Sequence, residues 1–271
     1  MATLDDFNRF GENMERQLNL RSSPLAVKML EKEDDIPQGA IRPKRDWGEH
    51  YAQCQAFAMS RRQGASIAMM KEDNWCWGPL IGYGMEDFPE EYPNFPFMIE
   101  DEEASKNHRK TFPRLERGKY TGIVSAPLKT ANFYPDLVLV YSNTAQLRSM
   151  LMAIKAKKGH MITSQFDPID SCIYSIVPVL LAGQYRITLP DPGEYERAMA
   201  GEDEIILSVP EDKMEELIIG LNKMEEMKLG YRQLAMHCQP DFPRPDFYRD
   251  LYRIWGLDVE DNPVPWRRLD K

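Results

Sequence analysis

Four cysteines are the residues of this chain best suited to carry chemistry, and their spacing limits what that chemistry can be. They stand at Cys54, Cys76, Cys172 and Cys238, and no two are separated by only two residues. The C-x-x-C spacing of zinc ribbons, thioredoxin-type motifs and bacterial ferredoxins is therefore absent. A soft metal or an iron–sulfur cluster would have to be assembled from distant segments, which thiolate ligands permit. The competing reading is plain packing, since a free cysteine often serves as a small apolar side chain. Cys54 suits packing, because a helix would place it near Phe57 and Ala58. Cys76 suits it less, because a helix start following a turn lowers a thiol's pKa and opens it to ligand.

Two histidines extend the candidate set. His50 precedes Cys54 by four residues, so on a helix the two would share a face. His237 directly precedes Cys238. The expected metal site has Cys76 and Cys172 at its centre, Cys54 as third ligand, and Cys238 or His237 completing it, with His50 as a further donor.

Cys76 sits inside "NWCWGPLIGYG". Glycine amides can cradle a phosphate, but this spacing matches neither the dinucleotide fingerprint nor the P-loop. The glycines read better as a close backbone approach, either to the tryptophans or to a ligand. Gly78, Gly82, Gly84, Trp75 and Trp77 are accordingly the candidate cofactor-contacting residues. A separate basic stretch, "IRPKRDWGEH", could gate an anionic acyl substrate of coenzyme A type through Arg42, Lys44 and Arg45, or could be a solvated loop. No Ser-His-Asp signature, metalloprotease helix or kinase set is present.

Composition bounds the class. The 271 residues are 42% hydrophobic and 28% charged, values of a globular chain. The net charge of −9 argues against a nucleic-acid or anionic-membrane partner, because phosphate binding requires a basic face. The longest apolar run, "CIYSIVPVLLAG", is far short of the roughly 18–20 residues needed to span a bilayer. The first segment has no apolar leader core, and four cysteines in a chain of this length do not form a disulfide framework. The expectation is a cytoplasmic protein with a small-molecule ligand or a redox partner protein.

The elements that must position these residues follow from periodicity. Residues 5–20 and 246–255 predict terminal helices packed on the outside, and "SSPLAVKML", "ASIAMM", "YTGIVSAPL" and "PDLVLVYS" predict strands. "EHYAQCQAFAMSRRQG" and "NTAQLRSMLMAIKAKKG" predict helices ending on Gly64 and Gly159, the second capped by Asn143 or Thr144. "HMITSQF" predicts a strand, and "SCIYSIVPVLLAG" an apolar helix kinked at Pro178. "YRITLP" and "EIILSVP" predict strands, and "EDKMEELIIGLNKMEEM" a helix.

Cys76 follows Gly64 by 12 residues and Cys172 follows Gly159 by 13. This suggests a degenerate duplication of one β-α-β-α unit. The expected fold is α+β or α/β, with two such halves at about 20–118 and 119–227 in one mixed sheet flanked by helices. All 271 residues would form a single domain, with 228–271 as a C-terminal extension. A pocket between the halves would then collect the cysteines.

"CQAFAMSRRQG", "NWCWGPLIGYG", "PDLVLVYSNTAQLRSML", "DSCIYSIVPVLLAGQYRITLP" and "EIILSVPEDKMEELIIGL" together resemble the domain of unknown function 169 family of bacteria and archaea, over roughly Leu20 to Met227. The resemblance implies recurrent cysteines at Cys54, Cys76 and Cys172, and a further one in a Pro-Cys-x-Gly-type segment. This chain reads "LPDPGEYERAM" there and lacks that cysteine, so a four-cysteine site would need Cys238 or a histidine. The leading functional expectation is a ligand- or cofactor-binding protein whose cysteine-lined cleft holds an iron–sulfur cluster or other soft metal. The competing readings are an accessory or interaction subunit with structural cysteines, and a metal-free enzyme on an anionic acyl substrate.

Overall fold

The computed structural model describes residues 2–92, 99, 101–159, 161–234 and 246–257. The first half runs α1 (Leu4–Leu18), β1 (Leu25–Leu30), α2 (Pro43–Trp47), α3 (Gln53–Gln63), β2 (Ile67–Met70), α4 (Trp77–Gly82), α5 (Glu102–Thr111) and β3 (Gly122–Pro127). Then come β4 (Leu137–Ser142), α6 (Thr144–Lys158), α7 (Ser171–Tyr174), α8 (Val177–Ala182) and β5 (Arg186–Thr188). The remainder is α9 (Pro192–Arg197), β6 (Ile205–Pro210), α10 (Met214–Glu226), α11 (Tyr231–Leu234) and α12 (Asp246–Ile254). Residues up to 234 form one compact unit, and α12 belongs to a second, beginning at residue 235.

The six strands form one open sheet in the order β2-β3-β1-β4-β6-β5, and every neighbouring pair is antiparallel. The α+β class is as expected. Parallel pairing, which a mixed sheet would require along whole strands, is confined among the described residues to single bridges, Ile41 with Ile67 and Tyr51 with Asn74.

The central strands are buried on both faces, and alternate residues divide between two cores. Ala26, Leu30, Val138, Val140, Leu207 and Val209 face one core, closed by Phe7, Met14 and Leu18 of α1, Met150 and Ala153 of α6, and Leu217 and Leu221 of α10. Leu25, Val27, Leu137, Leu139 and Ile206 face the other, closed by Phe57 of α3, Ile81 of α4, Ile173 of α7 and Val177 of α8. Helix α1 is thus a wall of the first core rather than an external addition. Its capping box holds it in place: Thr3 N–H donates to Asp6 at 2.8 Å and Asp6 N–H returns to the Thr3 hydroxyl at 3.2 Å.

Outward from the β1–β4 pair, the strand order is first, third, second on each side. The helices do not share that symmetry. Helix α3 lies over the second core and α6 over the first, so the two segments matched in sequence sit on opposite faces of the sheet. Strand β3 pairs with β1 and β2, which places it in the first group although it follows residue 119.

Two local expectations are corrected. Residues 161–166 form no strand. Pro178 stands in the first turn of α8, where its missing N–H is harmless, so the apolar stretch breaks into α7 and α8 instead of kinking. No helix among the described residues is long and apolar enough to cross a membrane.

Candidate functional site

Helix α3 places Cys54 one residue into its first turn, facing Ala52, Ala58 and Ala198, with Cys76 packed against the same small group. Cys76 is the residue capping α4, and its N–H donates to the Asn74 side chain at 2.9 Å, which fixes the turn into the helix. Cys172 lies in α7, fully buried, and its carbonyl accepts from the Tyr83 hydroxyl at 3.0 Å. These three cysteines, from three separate elements, line one cavity of about 260 Å³. Cys76 and Cys172 thus share a wall instead of lying on opposite sides of the molecule.

The glycines explain how α4 and α7 come so close. A Cβ on Gly78 would stand 2.7 Å from Oδ1 of Asp170, and one on Gly82 would stand 2.7 Å from Cγ2 of Ile173. Gly84 takes a positive φ of 74° beside the carbonyls of Leu115 and Glu116. The three residues therefore meet protein. Trp77 lines the cavity, while Trp75 is half exposed and carries the Arg197 guanidinium 5.0 Å from its ring centroid.

The walls are acidic. Asp191 caps α9: its side chain accepts from Glu194 N–H at 2.9 Å and from Ser171 N–H at 3.0 Å. The Ser171 hydroxyl donates to both Asp191 and Glu194. Burial, reinforced by Asp191 and Asp167, raises the Asp170 carboxyl to about 7. Burial also raises Glu194 to about 7, against the hydrogen bond from Ser171. Behind this wall Arg61 forms a buried two-pronged pair with Glu204, at 2.9 and 3.0 Å, and covers the Tyr141 ring at 4.0 Å.

That environment reverses one expectation. Burial, then the charges of Glu194 and Asp191, push the Cys54 thiol up to about 12. Burial raises Cys76 as well, and the Gly78 N–H only partly offsets it. Cys172 is raised well above the ordinary thiol range, again first by burial. The six-residue α4 is too short for its dipole to overcome desolvation. These are neutral thiols that a bound cation would have to deprotonate.

His50 is not on the helix. Helix α3 begins at Gln53, and His50 is exposed two residues before the capping Ala52, so the i, i+4 geometry with Cys54 fails. His237 and Cys238 lie outside the described residues. Among the described residues, no group of three His, Cys, Asp or Glu side chains is arranged to hold a metal ion.

The gate expected from Arg42, Lys44 and Arg45 is also corrected. Arg42 is buried and pairs with Asp73 at 2.9 Å, Glu33 at 2.6 Å and Glu72. Arg45 is exposed and tied to Asp46, and the Lys44 ammonium donates to the Gly48 carbonyl. The residues that spacing did not single out are Gln53, Asp170, Asp191 and Arg197, which line the cavity with the thiols. "DSC" and "LPDPGEYER" carried the only signal, acidic residues beside a cysteine and at a helix start.

The sequence profile described as uncharacterised ArCR, domain of unknown function 169, matches residues 13–220. The chain belongs to that family. Within the domain of unknown function 169 family, an uncharacterised protein of Methanocaldococcus jannaschii is 22% identical over 232 residues, 82% of this chain and 97% of that protein. No solved structure gives a significant match. The family match encloses Cys54, Cys76, Cys172 and the acidic wall, and stops short of His237 and Cys238.

Proposed function

We propose that this member of the family is a ligand- or cofactor-binding protein of a reducing compartment such as the cytoplasm. Its cysteine-lined cavity takes a soft metal ion or an iron–sulfur cluster. The observation that carries the reading is the convergence of Cys54, Cys76 and Cys172, from α3, α4 and α7, on one cavity. Thiols are the preferred donors for such ions, and all three are free of disulfides. The carboxylates of Asp170 and Asp191 on the same wall favour a cation and can supply an oxygen ligand. A fourth thiol or an imidazole would come from Cys238 or His237. A partner protein exchanging electrons fits a cluster, and a small-molecule ligand fits a single ion with an open position.

The competing reading, an accessory subunit with packing cysteines, draws support from Cys54, which lies among three alanines. Protein purified without oxygen separates the two by its absorbance spectrum, its iron and sulfide content, and titration with Zn2+ or Cd2+. Bound iron and sulfide, or tight cation uptake lost in Cys76→Ser and Cys172→Ser, is the expected result. A folded, colourless, iron-free preparation that takes up neither cation would overturn the proposal.

A further inference from the structure

Four buried polar atoms lining the cysteine cavity have no hydrogen-bond partner among the described residues: Nε2 and Oε1 of Gln53, Oδ2 of Asp170 and Nε of Arg197. They come from three elements, the first turn of α3, the residue capping α7, and α9. Gln53 is only 1% exposed, so its entire amide is withdrawn from bulk water with neither end matched. Buried polar atoms are nearly always paired, and an orphan costs its desolvation outright. The neighbouring wall shows that the fold can satisfy such groups here: Asp191 and Glu194 accept from Ser171 and from backbone N–H. The four orphans are the exception in an otherwise satisfied wall.

Their chemistry is complementary. Gln53 Nε2 and Arg197 Nε are donors, the second on a permanent cation, and together they suit a carboxylate. Gln53 Oε1 and Asp170 Oδ2 are acceptors, the second on a carboxyl group, and together they suit an ammonium. Backbone strain points to the same place: Asp170 holds a left-handed φ of 58°, unusual for a residue that is not glycine. A volume of about 260 Å³ corresponds to roughly nine water molecules at ~30 Å³ each, which restricts the occupant to a small molecule.

We propose that the cavity binds a small zwitterion of the amino-acid class. Its carboxylate meets Gln53 Nε2 and Arg197, its ammonium meets Asp170 and Gln53 Oε1, and the remainder of the molecule faces the three thiols. This goes beyond the soft-metal reading and requires no metal.

The test uses the full chain, freed of metal by chelation, and a panel of L-amino acids, each with its des-amino acid and its des-carboxy amine. Binding is followed by thermal shift and by NMR. At least one amino acid is expected to bind saturably at millimolar concentration, and its two single-function analogues at least about tenfold more weakly, since a site built to pair a polar group rejects the analogue that lacks it. Gln53→Leu and Asp170→Asn are each expected to weaken that binding at least about tenfold. Because Gln53→Leu removes two orphaned atoms, its melting temperature without ligand should equal or exceed that of the wild type. Failure of every amino acid to bind would overturn the inference. So would analogues that bind equally well, binding untouched by Gln53→Leu, or binding that appears only after metal is added. None of these results depends on the iron or cation assay, so either proposal can fail alone.

Discussion

A methyl group added at Gly82 would sit 2.7 Å from Cγ2 and 2.8 Å from Cδ1 of Ile173. Ile173 is fully buried, so it has little room to withdraw. Gly82→Ala should therefore lower stability by about 1–3 kcal/mol, the usual range for forced overpacking, and push α4 away from α7. Chemical denaturation measures the loss, and a variant as stable as the wild type would remove the close-approach account. Asp170 has a pH signature. Its carboxyl rises from 3.8 to about 7 on folding, because burial and the charges of Asp191 and Asp167 disfavour ionisation. Between those values the native state holds the proton and the unfolded chain does not, so stability falls as pH climbs from about 4 to about 7. Above that window the full penalty persists. Asp170→Asn removes it, so the variant should be more stable than the wild type at about pH 8 and show a shallower pH dependence, the remainder coming from Glu194. Parallel pH profiles for the two proteins would refute this. At this scale, "GPLIGYG" was legible as a tight corner, because glycine density reports lack of space. What presses against it was not, since Asp170 and Ile173 are about 90 residues away in the chain.

The segment "IRPKRDW" shows how an element can mislead when its partners are distant. Its cations read as a gate, yet Arg42 is the centre of a clamp. Asp73, fully buried, accepts from Arg42 Nε at 2.9 Å, from Lys44 N–H at 2.9 Å and from Met70 N–H at 3.0 Å, tying α2 to the end of β2. Asp73→Ala would leave a buried guanidinium short of its closest counter-charge and should cost about 3–5 kcal/mol. The same variant should bind cations in the cysteine cavity as the wild type does, because the clamp shares no residue with that wall. Thermal denaturation combined with a Zn2+ titration reads both. A small stability change, or lost cation binding, would mean that the clamp has been misplaced. "HMITSQF" failed for a related reason. Its alternation is real, but a strand needs a ladder, and residues 161–166 meet β5 only through Ser164, which accepts from Ile187 N–H at 2.8 Å, and the Gln165 carbonyl, which accepts from Arg186 at 2.7 Å. Helices α3 and α6 were legible to their ends because their stop signals are local: Gly64 and Gly159 take φ of 81° and 70°.

Across the unit that ends at residue 234, the three cavity cysteines are carried by helices that the second core holds against one face of the sheet. That the thiols would converge was readable from sequence only through the supposed symmetry of two halves. The helices break that symmetry, and convergence arises instead from α4 packing on α7. Occupancy of such a cavity is linked to folding, since any ligand that joins α3, α4, α7 and α9 stabilises the native state alone. A cation at about one hundred times its Kd should add about 2.7 kcal/mol and raise the melting temperature accordingly. The pH dependence of that effect identifies the ligands. Burial and the nearby carboxylates keep the Cys54 thiol up to about 12, and hold Cys76 and Cys172 above the ordinary range, so each thiolate ligand must release a proton when the cation enters. Apparent affinity for Zn2+ should therefore climb by more than about tenfold per pH unit between about pH 6 and pH 8, one factor of ten for each proton displaced. Cys172→Ser should reduce that slope by about one proton, whereas Cys54→Ala and Cys76→Ala should each reduce it similarly while also weakening binding at fixed pH. Isothermal titration in buffers of different ionisation enthalpy counts the protons directly. Binding that is flat with pH would assign the cation to the carboxylates and leave the three thiols as packing.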